Sequence, residues 1–225
     1  MPDALLRAVL FDLDGTLVDT LELLLSSMRH AFDGWSGARP TTAEWTAGIG
    51  TPLATQFGVY APDPAGLRHL TERYRAFQRA HHDRFTRCFP DAAATVRRLH
   101  ERGHPLAVVT SKANDIAART VAHVGLAEYL PVIVGVESTR RHKPDPEPVR
   151  YALEQLGVPA SRAVFVGDSP HDIAAGKAAG VCTIAALWGI CGRAALDAAR
   201  PDHVLEHIAE LPALLDALPQ PAAGA

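Results

Sequence analysis

The chain has 225 residues, 48% of them hydrophobic, which is enough to bury a substantial core in one large domain or in a domain with a smaller insertion. Lysine and arginine total 22 against 25 aspartates and glutamates, and the formal net charge of −3 excludes a global basic field that would recruit nucleic acid. No apolar stretch reaches the length of a membrane span, and the three dispersed cysteines predict neither a disulfide framework nor a zinc site, so we expect a cytoplasmic protein without a membrane partner.

The first predicted element is a buried strand over Ala8–Phe11, and two carboxylates, Asp12 and Asp14, follow it directly. Adjacent carboxylates at the end of a buried strand repel each other unless a cation, a proton or strong donors offset them. A divalent metal is the simplest such partner. An EF-hand loop does not explain the pair, because it needs glycine at position 6 and glutamate at position 12, whereas Gly15 is fourth and Leu23 is twelfth here.

Residues 18–87 are predicted to be helical, with no strand. Apolar residues recur at helical spacing over residues 21–32, and Asp19 is the expected N-cap of that helix. A second long helix is predicted over residues 65–85. The segment between them, residues 34–52, is rich in Gly, Pro and Thr and predicts turns around a short helix. The pattern indicates a helical insertion after the first strand.

From residue 89 onward, helices and strands alternate, which is typical of a parallel sheet covered on both faces. The predicted helices are residues 91–102, 113–124, 146–156, 171–179 and 207–218, and the predicted strands are residues 105–109, 132–136, 163–167, 181–185 and 203–205. We therefore predict an α/β fold in three parts. They are a core of residues 1–17 and 88–218, a helical cap of residues 18–87, and a flexible tail of residues 219–225.

Chemically useful side chains follow several of these strands. Asp12, Thr110 and Asp168 each come after the carboxyl end of an apolar strand, and Lys143 lies in another loop on the same side. Such loops share one edge of an open parallel sheet, where ligands bind near the switch in strand order. We therefore expect these distant residues to converge.

These groups are suited to phosphoryl transfer. Asp12 would be the nucleophile and form an aspartyl phosphate, which divides hydrolysis into two steps. Attack by an anion on an anionic phosphate needs cations across the reacting oxygens, and Lys143 and Mg²⁺ can provide them. Mg²⁺ prefers oxygen ligands, here the carboxylates of Asp12 and Asp168, the backbone carbonyl of Asp14 and a phosphate oxygen.

Two further roles follow from the same chemistry. Asp14 can give a proton to the departing alkoxide and then accept one from the attacking water. Thr110, together with the amide of Ser111, can hold the non-bridging phosphate oxygens. The role of Lys112 stays open between helping with phosphate and beginning the next helix, and the arginines from residue 68 to residue 87 are expected to be mostly solvated surface.

The sequence resembles the haloacid dehalogenase superfamily in four motifs that occur in the order of that family. The motifs are DLDGT at 12–16, TSK at 110–112, KP at 143–144 and GDSPHD at 167–172. The resemblance implies a Rossmann-like core, Mg²⁺ as cofactor, an aspartyl-phosphate intermediate and a cap that closes over the substrate. It also implies phosphate contacts at Gly15 and Thr16, and a role for Asp172 at the metal through a neighbouring group or water.

Members of this superfamily do different reactions, and individual residues separate them. Dehalogenases resemble this chain but lack the second aspartate, so Asp14 argues against halide chemistry. Phosphonate-cleaving members need a cap lysine, and residues 18–87 contain none. Sugar-phosphate mutases place a histidine in the first cap helix, where this chain has Leu24, so a sugar-phosphate phosphatase or mutase is a less favoured alternative.

Hydrolysis of a small phosphomonoester is therefore the predicted activity. The cap segment 48–53 resembles phosphoglycolate phosphatases and related pyrophosphatases, which makes 2-phosphoglycolate the first candidate substrate and pyrophosphate an alternative. Gly50 and Thr51 of this segment are expected to face the substrate, unless the segment is only a turn between helices. A non-catalytic regulator that binds a phosphorylated ligand is the alternative of another class. The expected partner is a small phosphorylated metabolite, and the expected state is a monomer or a homodimer.

Overall fold

The computed structural model describes residues 6–219 of the chain, and the predicted flexible tail lies outside them except for its first residue. The strands are β1 (Ala8–Phe11), β2 (Val18–Asp19), β3 (Arg87–Cys88), β4 (Leu106–Val109), β5 (Val132–Val134), β6 (Ala163–Gly167), β7 (Cys182–Ala186) and β8 (His203–Leu205). The helices are α1 (Leu21–Ala31), α2 (Thr42–Ala47), α3 (Leu53–Gly58), α4 (Pro64–Phe85), α5 (Ala92–Glu101), α6 (Asn114–His123), α7 (Glu147–Leu156), α8 (Pro170–Ala179), α9 (Arg193–Ala199) and α10 (Leu211–Ala217). Single 3₁₀ turns occur at Ala160–Arg162 and Ile208–Glu210.

Six strands form one parallel sheet in the order β5-β4-β1-β6-β7-β8. Leu10 at the centre of β1 is in register with Ala107 of β4 on one side and Phe165 of β6 on the other. The strand order reverses at β1, so the loop after β1 lies at the switch point where doubly wound sheets bind ligands. The α/β fold class predicted from the sequence is confirmed.

Alternate residues of the central strands serve opposite faces of the sheet, because strand side chains point to opposite sides in turn. Val9, Phe11 and Val108 belong to one buried cluster, with side chains from α5, α6 and α10. Leu10 and Phe165 belong to the opposite cluster, with side chains from α7 and α8. Burial on both faces explains why the core strands read as continuous apolar runs.

Helices α1 to α4 pack around a third cluster that is separate from those of the sheet. Its largest members are Phe32, Trp45, Phe57 and Tyr74, whose rings contact one another edge-on or tilted. The chain leaves and re-enters the sheet region through β2 and β3, which pair antiparallel. We propose on this basis that residues 18–87 form a cap domain and that the remaining described residues form the core.

The structure corrects three local predictions. Residues 18–87 do contain strand, because β2 begins at Val18 and β3 begins at Arg87, but two-residue strands are too short to show a period in sequence. Thr20, not Asp19, is the N-cap of α1. The last predicted helix begins as a 3₁₀ turn, and α10 covers only its second half.

Within residues 6–219, we find no helix with the length and apolar character that crossing a membrane requires.

Candidate active site

The acidic pair lies in a tight turn that begins where β1 ends. The amide of Asp12 donates to the carbonyl of Val166 at 2.9 Å, which extends the sheet pairing one residue past the strand. Gly15 has φ of +86°, and a Cβ at this position would lie 2.1 Å from Oδ2 of Asp168. Only glycine permits this backbone conformation and this close approach together. The turn therefore brings the loop after β1 against the loop after β6.

Three buried carboxylates meet at this point. Asp12, Asp168 and Asp172 each place one oxygen within 4.8 Å of the others. The ammonium of Lys143 donates to Oδ1 of Asp12 at 2.8 Å and to Oδ1 of Asp172 at 2.6 Å. All four side chains are at most 5% exposed. The structure thus brings together Asp12, Asp168 and Lys143, which the sequence predicted to converge, and adds Asp172, which the family resemblance placed near the metal.

The electrostatics of this cluster are dominated by burial. Loss of solvent, reinforced by Asp172, raises the pKa of Asp12 to about 7 in spite of the ion pair with Lys143. Burial and the two neighbouring carboxylates raise the pKa of Asp168 well above its usual range. Burial favours loss of the Lys143 proton, but Asp12 and Asp172 outweigh it and raise the pKa of that ammonium.

A divalent cation fits the donors and the charge of this cluster. When Asp12, Asp168, Asp172 and Lys143 are all ionised, three negative charges face one positive charge, which leaves two to be balanced. The donors are carboxylate oxygens, and hard cations such as Mg²⁺ prefer oxygen ligands. The site thus matches a magnesium ion in ligand type and in charge.

Asp168 and Asp172 have different surroundings. Asp168 accepts from the hydroxyl of Thr16 at 3.0 Å and from the amide of Ile190 at 2.8 Å, which fixes its carboxylate in place. Asp172 stands in the first turn of α8, where its Oδ2 accepts from the amide and the hydroxyl of Ser169 in a capping box. Both oxygens of Asp172 already have protein donors, which fits the predicted indirect role at the metal.

Thr110 and Ser111 follow β4 and line the same cavity as Asp12. Thr110 extends the sheet through a 2.9 Å bond from its amide to the carbonyl of Val134. The hydroxyl of Ser111 donates to the carbonyl of Gly50 at 2.6 Å. This bond joins the loop after β4 to the cap segment that the sequence predicted to face the substrate.

Between cap and core lies a cavity of about 550 Å³. The predicted site residues that line it are Asp12, Asp14, Gly50, Thr51, Thr110 and Ser111. The other predicted residues do not line the cavity. Lys143 bonds to Asp12. Asp168 and Asp172 each place an oxygen within 4.8 Å of an oxygen of Asp12, Thr16 bonds to Asp168, and Gly15 follows Asp14 in the turn. The amides of Gly15 and Thr16 donate to the carbonyls of Val18 and Leu13, so their phosphate contacts stay a prediction.

Asp14 lies on the cavity wall with two donors on one oxygen. Lys112 donates from its ammonium to Oδ1 at 2.6 Å, and Thr20 donates from its hydroxyl to the same oxygen at 2.6 Å. The sequence left the role of Lys112 open and did not indicate Thr20. The rarity of lysine, with only three in the chain, was the available signal for Lys112.

The cap also contributes two arginines to the cavity, Arg75 and Arg79, which are exposed as the sequence predicted for most arginines of this segment but which the sequence did not place at the site. Both are on α4, one turn apart, and on the side that faces the core. Among the described residues, neither guanidinium has a carboxylate within salt-bridge distance, and the arginines that do form ion pairs are Arg29, Arg102, Arg119, Arg141 and Arg193. No periodicity in the sequence distinguishes these two from the other arginines of α4.

A doubly wound sheet with a lysine and a carboxylate cluster that could hold a metal at its switch point, under packed helices, is the arrangement of a phosphoryl-transfer hydrolase. Residues 9–186 match the model of the haloacid dehalogenase-like hydrolase family. The chain belongs to this family, as its four motifs indicated, and it is a phosphatase of that family.

Curated relatives cover nearly the whole chain. It is 36% identical over 211 residues to pyrophosphatase PpaX of Halalkalibacterium halodurans, covering 94% of this chain and 96% of the relative. It is also 36% identical over 212 residues to pyrophosphatase PpaX of Bacillus velezensis, covering 94% of this chain and 97% of the relative.

Solved structures show the same architecture. A predicted phosphatase from Clostridium acetobutylicum aligns with a TM-score of 0.85 at 25% identity, covering 96% of this chain and all of the other. A predicted phosphoglycolate phosphatase from Haemophilus somnus aligns with a TM-score of 0.83 at 22% identity, covering 94% of this chain and 99% of the other. At 22% identity, the likeness to the Haemophilus somnus structure shows the fold alone.

Proposed function

We propose that the protein is a Mg²⁺-dependent phosphatase that hydrolyses a small phosphorylated compound through an aspartyl phosphate on Asp12. The observation that carries this proposal is the buried cluster of Asp12, Asp168 and Asp172 around Lys143. Asp12 is the one member of this cluster that both lines the cavity and bonds to the lysine. It therefore combines access to a substrate with a nearby positive charge.

The first step is attack of the Asp12 carboxylate on phosphorus. Lys143 holds the nucleophile through Oδ1 and places its positive charge beside the negative charge of the reacting phosphate. Mg²⁺, held by Asp12, Asp168 and the carbonyl of Asp14, would supply further charge neutralisation as a Lewis acid. Thr110 and Ser111 provide donors at the cavity wall for the other phosphate oxygens.

Asp14 acts on protons in both steps. It gives a proton to the oxygen of the leaving group as the ester bond breaks, and it then takes a proton from the water that attacks the aspartyl phosphate. Its side chain is 14% exposed and lines the cavity, so both the leaving group and a water molecule can reach it. The loops after β1 and β4 thus provide the nucleophile, the acid-base group and the phosphate donors.

The cavity indicates a small substrate with a second negative charge. Its volume of about 550 Å³ suits a metabolite, and Arg75 and Arg79 place two positive charges on its cap side. In 2-phosphoglycolate the second charge is a carboxylate, and in pyrophosphate it is a second phosphate. 2-Phosphoglycolate remains the first candidate, on the resemblance of the cap segment 48–53. Pyrophosphate is the second candidate, since relatives with 36% identity are named pyrophosphatases.

The test is release of inorganic phosphate from a panel that contains 2-phosphoglycolate, pyrophosphate and several sugar phosphates. We expect turnover with Mg²⁺, loss of turnover in EDTA and its return when Mg²⁺ is added back. Asp168→Asn should raise the Mg²⁺ concentration needed for half-maximal rate. Full activity in EDTA would contradict the proposal, and binding without turnover across the panel would favour the regulator instead.

A further inference from the structure

Lys112 is a buried lysine whose ammonium lies inside the proposed active site. Its side chain is 4% exposed, and its ammonium is 2.6 Å from Oδ1 of Asp14. A buried ion pair is costly to desolvate, so it needs good geometry and additional hydrogen bonds to be stable. The hydroxyl of Thr20 supplies one such bond to the same carboxylate oxygen at 2.6 Å.

The backbone of Lys112 is fixed to the sheet. Its carbonyl accepts from the amide of Val136 at 2.9 Å, and its amide donates to the hydroxyl of Thr110 at 3.3 Å. The ammonium therefore extends from an anchored loop of the core, while Thr20 is the N-cap of the first cap helix. The carboxyl group of Asp14 is held from the core side and from the cap side at once.

Both donors bind Oδ1, and this leaves the other oxygen of Asp14 for chemistry. In the part of the chain that the structure describes, no protein donor bonds to Oδ2. A carboxyl group with one oxygen held by two donors has little rotational freedom. Its second oxygen then keeps one direction relative to the cavity wall.

We propose that Lys112 is the positioning residue of Asp14, which fixes the direction of its carboxyl group for proton transfer to the leaving group. The inference rests on the proposed function. In the step concerned, an oxygen of Asp12 bonds to phosphorus, and the ester P–O bond breaks with its electron pair going to the leaving oxygen. The proton on Oδ2 of Asp14 moves to that oxygen, and the new carboxylate is paired with the ammonium of Lys112.

The fixed direction of Asp14 matters for the rate because a proton donor that is already oriented avoids the entropic cost of finding its geometry during the reaction. Lys112 and Thr20 provide this orientation through Oδ1. The gain is largest when the leaving group needs a proton.

Phenyl phosphate and p-nitrophenyl phosphate separate this role from a structural one, because they match closely in shape and phosphate charge. Nitrophenolate leaves readily without a proton, whereas phenolate benefits from one. The value of kcat/KM reports only the steps up to release of the phenol, so slow breakdown of the aspartyl phosphate does not affect it. The variants are Lys112→Met, Lys112→Arg, Asp14→Asn and, as a matched control, Lys177→Met at an exposed lysine of α8.

We expect Asp14→Asn and Lys112→Met to lower kcat/KM for phenyl phosphate at least about 10-fold more than for p-nitrophenyl phosphate. Lys112→Arg should recover part of the difference, and Lys177→Met should change neither substrate. An equal loss on both substrates in Lys112→Met, with a selective loss in Asp14→Asn, would overturn the inference and leave the proposed function intact. An equal loss in Asp14→Asn as well would count against the acid role itself.

A second measurement does not depend on activity. Thermal unfolding of Lys112→Met, Asp14→Asn and the double variant forms a double-mutant cycle. If Lys112 and Asp14 interact, the fall in Tm for the double variant is smaller than the sum of the falls for the two single variants. Additive changes in Tm would show that the two groups do not interact, and the proposed positioning would then be wrong. Lys112→Gln replaces Lys112→Met in both experiments if the latter does not fold.

Discussion

The ammonium of Lys143 lies 2.8 Å from the carboxylate of Asp12, although the two residues are 131 positions apart in the sequence. They meet because the loops that follow parallel strands lie at the same edge of the sheet, and β1 is at the point where the strand order reverses. The same ammonium is 2.6 Å from Asp172, so one buried cation holds two of the three clustered carboxylates.

Replacement of the nucleophile should abolish turnover without unfolding the protein. Asp12→Asn keeps the size of the side chain but removes the attacking carboxylate, and we expect kcat to fall on the order of 10⁴-fold or more. Because burial raises the pKa of Asp12 to about 7, its charge is costly in the folded state, and the variant should not lose stability in EDTA. Phosphate release and thermal unfolding measure the two effects. Substantial residual turnover would show that another group attacks phosphorus.

The close approach at Gly15 gives a prediction with an internal control. Gly15→Ala and Gly34→Ala both put a side chain at positive φ, which costs roughly 1–2 kcal/mol. Within the part of the chain that the structure describes, a Cβ at Gly34 has no neighbour within 4 Å, whereas one at Gly15 meets Asp168 at 2.1 Å and adds overpacking of about 1–3 kcal/mol. Urea unfolding should therefore show a larger loss for Gly15→Ala, together with a weaker response to Mg²⁺. Equal losses of stability in the two variants would mean that the loop after β1, with Gly15, and the loop after β6, with Asp168, are not in contact.

Arg75 and Arg79 should raise kcat/KM only for substrates that carry a second negative charge. Arg75→Ala and Arg79→Ala each remove a positive charge from the cap wall, and we expect kcat/KM for 2-phosphoglycolate or pyrophosphate to fall about 3- to 10-fold. An ester without a second charge, such as phenyl phosphate, should be nearly unaffected. Arg68→Ala is the matched control, since it is exposed on the same helix and does not line the cavity. Uniform losses on all substrates would argue against a subsite for the second charge.

His104 gives the protein a stability that depends on pH. Burial lowers the pKa of His104, its Nδ1 bonds to the carbonyl of Arg7 at 2.9 Å, and its Nε2 has no hydrogen-bond partner among residues 6–219. In the unfolded chain the pKa is about 6.5, so the unfolded state binds more protons as the pH falls. The stability is therefore present above about pH 6.5 and is lost as the pH falls through the lower folded pKa. Between pH 7 and 5, Tm should fall more steeply in the wild type than in His104→Phe, and identical slopes would contradict this assignment.

The sequence predicted the parallel sheet because its strands are buried on both faces and its helices end at glycines, as α7 ends at Gly157 and α8 at Gly180. It also predicted which loops meet, because topology alone places Asp12, Thr110 and Asp168 at one edge. It missed the pairing of β2 with β3, since two-residue strands leave no period to detect.

Contacts between cap and core were beyond sequence reasoning for a different reason. Whether Arg75 and Arg79 line the cavity depends on how the cap is oriented over the sheet. Helical spacing tells which residues share a face of α4, but it does not tell which face lies towards the cavity. The bond from Ser111 to Gly50 depends on the same orientation.

The central claim is that Asp12 carries the phosphoryl group during turnover. The most direct measurement uses Asp14→Asn with p-nitrophenyl phosphate, because this substrate needs no acid in the first step while the variant lacks the base for the second. The reaction is quenched in acid and the peptides are analysed by mass spectrometry. We predict accumulation of one phosphoryl group on Asp12, labile to hydroxylamine, with release of one equivalent of nitrophenol. A phosphoryl group on another residue, or continued release of nitrophenol without any phosphorylated enzyme, would contradict the claim.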